Sequence, residues 1–236
     1  ITGNLETAIT ASSKVLAVQG QVVPATSADV RLWAELENGE RLEGESCIGK
    51  ANSPIVRLGC TPARPAALPR ALEAIAHADM IVLGPGSLYT SLLPNLLVPE
   101  LVEAIGRSQA PRLYICNLIT QPGETDGLDV SGHLRAIESQ LASIGVQQRL
   151  FDAVLAQDAL PAGPELDYYR ARGAEPVDCD LDGLKQQGFR VMLASMQGPQ
   201  QQSKGHAAKG TLKHDSRSLA LAVMRFYRSK QKRKLN

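Results

Sequence analysis

The sequence predicts an α/β fold: a mostly parallel sheet with helices on both faces, preceded by a small antiparallel β lobe. Two patterns carry that expectation. From residue 80 onward, short apolar runs alternate with stretches of helical length, the mark of successive βαβ units. Two of those runs also end abruptly in ligand-type loops, one opening at Gly84-Pro85-Gly86 and one at Asn117. In open parallel sheets the ligand lies at the carboxyl ends of the strands.

The elements follow in order. The chain begins at Ile1, inside an amphipathic helical pattern of Leu5, Ala8, Ile9, Val15 and Leu16, and further residues are expected upstream. Residues 22–46 switch to period two, with Val30, Leu32 and Ala34 alternating against polar neighbours. Asn38-Gly39 then separates that run from 41–45 and predicts a hairpin. A third strand is expected over 55–59, after Ser53-Pro54, so the antiparallel subregion spans 22–60. Pro-rich 61–69 reads as a loop. Next come a helix over 70–77, a strand over 80–83, a helix over 92–106, a strand over 113–116 and a helix over 130–144. A strand over 153–156, a helix over 166–172, a strand over 191–194 and a helix over 218–228 complete the series. Residues 197–210, rich in Gln, Gly, Ser and Lys, read as a mobile loop just after a strand end, either a lid or a plain insertion. The basic tail at 225–234 reads as a solvated helix end.

Composition bounds the function. With 236 residues, 44% hydrophobic and 21% charged, the chain can bury a full core as a single domain over 1–236. Its 25 basic and 24 acidic side chains leave a net charge of +1, so no global field favours nucleic acid or an anionic membrane, and any anion site must be local. No nucleic-acid partner is expected. Cys47, Cys60, Cys116 and Cys179 are scattered, without a CxxC pair or a histidine at metal spacing, and read as reduced core residues of a cytoplasmic protein. No apolar run approaches the roughly 18 residues of a membrane span, and no charged-then-apolar leader opens the chain.

The first loop runs Gly84-Pro85-Gly86-Ser87-Leu88-Tyr89-Thr90-Ser91. Its glycines let the backbone turn sharply and approach a ligand, while Ser87, Thr90 and Ser91 can cap a helix or donate to phosphate. It lacks the Gly-Lys-Ser/Thr ending of a Walker loop, and Tyr89 stands where a dinucleotide fingerprint needs its third glycine. The second loop carries Asn117, Thr120, Gln121, Gly123, Glu124, Thr125 and Asp126. Amides can read base and sugar edges, and carboxylates can accept from ribose hydroxyls or hold magnesium. Asp126 and Asp129 are equally suited to favouring the next helix N-terminus. Lys213-His214-Asp215 suggests a catalytic pair, but adjacent side chains point apart. Asp215 is more simply a helix cap, Lys213 a point charge for phosphate. His77, His133 and His206 show no ligand spacing. Tyr168-Tyr169 can stack on a base or pack in the core.

Taken together, GPGSLYTS, NLITQPGETDG, Tyr169-xxx-Gly173-xx-Pro176-Val177 and Lys213-His214-Asp215 resemble the gluconeogenesis factor family (YvcK-like), which is related to the 2-phospho-L-lactate transferase (CofD-like) proteins. The likeness runs from the VLAVQGQVVPAT segment through Asp215. It implies a Rossmann-like three-layer fold and a nucleotide-linked ligand, a UDP-sugar and typically UDP-N-acetylglucosamine. It also implies a regulatory sensor without an established reaction, acting on cell-wall synthesis, cell shape and carbon metabolism, with cell-wall synthesis proteins as partners and a homo-oligomer as a further option. Asn117, Tyr169 and Lys213 match the family's binding positions, with the loop carrying Gly84, Gly86, Ser87, Tyr89 and Thr90 beside them. The family's first strand and Gly-Gly-Gly-Thr-Gly loop would stand before Ile1, so the ligand site is expected to be incomplete here. Where the family carries Arg-His-Asp-Pro this chain has Lys213-His214-Asp215-Ser216, which keeps the charge but loses the guanidinium fork. The alternative reading is a transferase using a guanine nucleotide-linked donor, with magnesium on Glu124 and Asp126.

Overall fold

A computed structural model describes residues 5–17, 19–147, 149–161, 164–198 and 212–234. After helix α1 (Leu5–Val15) comes the antiparallel lobe, built from β1 (Arg31–Leu36), β2 (Arg41–Glu43), a one-turn helix α2 (Glu45–Ile48) and β3 (Ile55–Thr61), in the order β2-β1-β3. Asn38-Gly39 makes the expected turn, with Gly39 at φ 83° and Ala34 opposite Leu42. On the outer face Trp33 lies across Gly59, where a Cβ would meet the indole at 2.1 Å, and Arg41 and Arg57 sit over the ring at 4.1 and 4.9 Å.

Helix α3 (Pro69–Ala76) leads into β4 (Ile81–Leu83), β5 (Arg112–Ile115), β6 (Ala153–Gln157) and β7 (Val191–Ala194), a parallel sheet in sequential order. The helix expected over 92–106 is broken. A π-turn (Leu88–Leu92), α4 (Leu93–Leu96) and α5 (Pro99–Arg107) take its place. Pro94 stands second in α4 and Pro99 starts α5, and Val98 is extended at φ −91°, ψ 103°, because Pro99 removes an N–H and pushes its predecessor out of the helical region. The remaining helices are α6 (Val130–Ser143), α7 (Pro164–Arg170), α8 (Leu181–Gln186) and α9 (Ser216–Lys234). Two short helices, α2 and α8, have no strong sequence periodicity behind them. Asp129, Asp180 and Asp215 each accept from the N–H three residues on, so all three aspartates act as helix caps.

Strand alternation sorts the sheet into two apolar faces. Tyr114, Cys116, Val154 and Ala156 face one core, which takes in α6, α8, the π-turn segment and the inner side of the lobe (Ala34, Leu36, Ile55, Leu58). The lobe therefore shares a core with the parallel sheet. Leu113, Ile115, Ala153 and Leu155 face the other core, where α9 contributes Leu219, Ala222, Val223 and Phe226 at i, i+3, i+4 and i+7. All four thiols are free; Cys60 and Cys116 are buried and Cys179 is partly so, but Cys47 is exposed, because α2 turns Ile48 inward instead. No helix among the described residues is long and apolar enough to cross a membrane. The expected mobile loop at 197–210 lies almost wholly outside the described residues.

Candidate functional site

The loops after β4 and β5 are locked together by backbone proximity and one side chain. Gly84 adopts φ 88°, and a Cβ there would stand 2.6 Å from the Ile115 carbonyl, so only glycine lets the two strand ends approach. Asn117 then closes a two-point latch: its Nδ2 donates to the Gly86 carbonyl at 2.9 Å, and its Oδ1 accepts from the Gly86 N–H at 3.2 Å. Gly86 and Asn117 are neighbours, as the strand-end argument requires.

A second pairing brings the chain after α7 to the same place. Thr120 N–H donates to the Glu175 carbonyl at 2.7 Å, Glu175 N–H donates to Thr120 Oγ1 at 2.9 Å, and Val177 N–H donates to the Leu118 carbonyl at 3.0 Å. A third places the segment before α9. Gly198 N–H donates to the Lys213 carbonyl at 2.9 Å and Asp215 N–H to the Met196 carbonyl at 2.7 Å, which pins residues 213–215 beside the end of β7.

These segments enclose a crevice of about 590 Å³ at the carboxyl ends of the strands. Gly86, Ser87, Asn117, Thr120, Gln121, Tyr169 and Lys213 all line it, so four separated sequence regions converge. Pro85, Leu118, Ile119, Pro122, Ala174 and Leu212 add apolar surface. Its charge is one-sided: among the described lining residues are the cations Lys213 and Arg172 and no carboxylate. In a chain with a net charge of only +1, this is a local anion-attracting field.

The other predicted residues face elsewhere. Glu124 is buried and spent on the first loop: Tyr89 N–H donates to it at 3.1 Å, the Thr90 hydroxyl at 2.9 Å and Gln121 Nε2 at 3.4 Å. Burial, and then the Glu124 charge, push the Tyr89 phenol up to about 12. That hydroxyl stays protonated and donates to the Ile55 carbonyl at 3.2 Å. Thr125, fully buried, accepts from Gln121 N–H at 2.8 Å, and Asp126 accepts from Gly123 N–H at 2.7 Å. Gly123, at φ 85°, presses on the backbone of Ala51, tying this loop to the lobe. Glu124 and Asp126 border a smaller hollow under the lobe together with Tyr89 and Gly123. Among the described residues no group of three or more His, Cys, Asp or Glu is placed to hold a metal ion.

Sequence reasoning missed Arg172 and His214. Arg172 follows Tyr169 by three positions, the spacing that puts side chains on one helical face, and that signal was available. Its guanidinium rests 3.6 Å from the Tyr168 ring and donates to the Tyr168 carbonyl at 3.0 Å. His214 was masked by its neighbour Asp215, which caps α9.

Comparison with known proteins gives the family. The family described as 2-phospho-L-lactate transferase CofD matches residues 1–197. The chain belongs to the CofD family. Within it, the relatives carry the gluconeogenesis factor name. The gluconeogenesis factor of Bacillus subtilis is 40% identical over 192 residues, 81% of this chain and 59% of that protein. A Nostoc sp. protein provisionally named a gluconeogenesis factor is 50% identical over 227 residues, 96% of this chain and 47% of its own length. The chain thus spans about half the length of such relatives. An X-ray crystal structure of a Bacillus halodurans protein superposes with a TM-score of 0.84 at 39% identity, covering 94% of this chain and 68% of that one. A 2.60 Å crystal structure described as a UPF0052 family member, also from Bacillus halodurans, gives a TM-score of 0.79 at 39% identity, covering 91% and 65%.

Proposed function

We propose that the crevice binds a UDP-sugar, UDP-N-acetylglucosamine in the first instance, and that the protein is a regulatory sensor acting on cell-wall synthesis, cell shape and carbon metabolism. The observation that carries this reading is the one-sided crevice: Lys213 and Arg172 supply positive charge for a pyrophosphate, and no carboxylate among the described lining residues opposes it. Around that charge stand the groups a nucleotide-sugar needs. Ser87, Thr120 and Gln121 offer hydrogen bonds to hydroxyls, and Tyr169, half-buried, offers a ring face to a base. A volume of about 590 Å³ lies within the range for small-molecule sites.

The transferase reading, with magnesium on Glu124 and Asp126, has less behind it, because both carboxylates already serve backbone and hydroxyl donors within their own loop. Titration calorimetry and thermal unfolding with UDP-N-acetylglucosamine, UDP, GDP and GDP plus magnesium separate the two. The sensor reading expects uridine-selective binding, with stabilisation of about 2.7 kcal/mol at 100 times the dissociation constant. Magnesium-dependent preference for GDP, or no response to any uridine nucleotide, overturns it.

A further inference from the structure

Helix α9 is packed on one side only. Leu219, Ala222, Val223 and Phe226 lie against the parallel sheet, and towards the far end the Lys230 ammonium sits 3.7 Å from Asp152 while Ser229 Oγ accepts from Arg190 at 3.4 Å. These contacts fix which side faces out. The outward stripe is Arg217, Leu221, Met224 and Arg228, spaced i, i+4, i+7 and i+11, with Arg225 beside it. Leu221 and Met224 are neighbours one turn apart, 52% and 42% exposed, and all three arginines are exposed. Nothing within the helix offsets this charge: residues 216–236 hold seven cations and no Asp or Glu, six of the cations falling within 225–234, so the remainder of the chain is net acidic. Basic charge that a net of +1 conceals is gathered on one helix.

We propose that the outer face of α9 docks on an anionic phospholipid bilayer, with Arg217, Arg225 and Arg228 on lipid phosphates and Leu221 and Met224 in the headgroup layer. The inference stands apart from the nucleotide-sugar reading of the crevice. A basic cluster on a helix that also shows apolar side chains is what an anionic lipid surface attracts. Layering decides the occupant. In a bilayer the phosphates lie over hydrocarbon, so one face satisfies both kinds of side chain, the arginine stems running alongside Leu221 and Met224 while their heads stay at the phosphates. The backbone of a nucleic-acid duplex offers phosphates without an apolar layer beneath them. A second copy meeting this face across a two-fold axis would set arginine against arginine. Association of this kind is peripheral and needs no spanning helix. Because α9 starts two residues after His214 on the crevice wall, docking brings that wall close to the bilayer.

Sedimentation of the full chain with vesicles tests it, using phosphatidylcholine alone and equal parts of phosphatidylcholine and phosphatidylglycerol. Wild type is expected to pellet with the anionic vesicles, less so as salt rises, and to stay in the supernatant with the neutral ones. Arg225→Gln with Arg228→Gln removes two surface cations and should weaken the anionic partition about thirtyfold. Leu221→Gln with Met224→Gln keeps every charge and should still weaken it severalfold, which attraction by charge alone would not do. All four side chains are exposed, so circular dichroism should show both variants folded, and either one alone suffices if the other misfolds. Equal binding to neutral vesicles, no binding to anionic ones at low salt, or a partition unchanged by either pair of substitutions overturns the proposal. So does tighter capture of duplex DNA or polyglutamate than of anionic vesicles at the same salt, which would give this face to another partner.

Discussion

Replacing Glu124 separates a structural carboxylate from a metal ligand. The side chain is 6% exposed and accepts two well-formed hydrogen bonds, from Tyr89 N–H at 3.1 Å and the Thr90 hydroxyl at 2.9 Å, with a longer one from Gln121 at 3.4 Å. Hydrogen bonds to a charged acceptor contribute about 1.5–3 kcal/mol each, but removing a buried charge returns part of its desolvation cost. Glu124→Ala leaves the buried Tyr89 N–H without a partner and is expected to destabilise by about 3 kcal/mol. Glu124→Gln keeps a carbonyl for Tyr89, and the Thr90 hydroxyl can rotate to accept from the new amide, so the cost falls to about 1 kcal/mol. Urea unfolding followed by far-UV circular dichroism measures both. An alanine variant within about 0.5 kcal/mol of wild type, the range of ordinary surface substitutions, refutes the structural role of Glu124. So does a magnesium-induced stabilisation of wild type that Glu124→Gln abolishes, because the carboxylate then serves a cation.

Other outcomes follow from the same geometry. Gly84→Ala, which puts a Cβ 2.6 Å from the Ile115 carbonyl at φ 88°, should destabilise by more than about 2 kcal/mol and weaken ligand binding, both readable by calorimetry. Lys213→Gln should weaken UDP-N-acetylglucosamine binding about tenfold with little change in stability, whereas Lys213→Arg, which keeps the charge and adds a guanidinium fork, should bind at least as well as wild type. His133 is fully buried, and burial lowers its pKa, so the unfolded chain takes up a proton more readily than the native one. Its contribution to stability is present above the unfolded histidine range and lost as pH falls through the depressed native value. Denaturation at stepped pH should show His133→Gln with a shallower acid loss than wild type.

Much of this arrangement was legible from residue order. Strand-end glycines, the Asn38-Gly39 turn and the aspartate caps are local chemistry, and they fall where local rules put them. The helix break at Pro99 was equally readable, yet the apolar run through Leu96, Leu97 and Val98 obscured it. What the chain could not reveal was direction. Glu124 and Asp126 look like ligand groups in one dimension and turn out to be consumed by donors from Tyr89, Thr90 and Gly123. His214 looked idle because it reaches the crevice wall only through the pairing of 213–215 with 196–198. Carboxylate and imidazole roles depend on which loop folds over them, and that is settled by packing across the sheet.

Trp33 is the single tryptophan of the chain and sits on the lobe between Arg41 and Arg57. Its emission is thus a built-in gauge of one subregion, while far-UV ellipticity weighs mainly the helices around the parallel sheet. Because Gly123 abuts Ala51 and Tyr89 is tied to Ile55, loss of the lobe should drag the ligand loops with it. Coincident fluorescence and dichroism midpoints would mark the two subregions as one cooperative unit. Staggered midpoints would make the lobe a detachable brace.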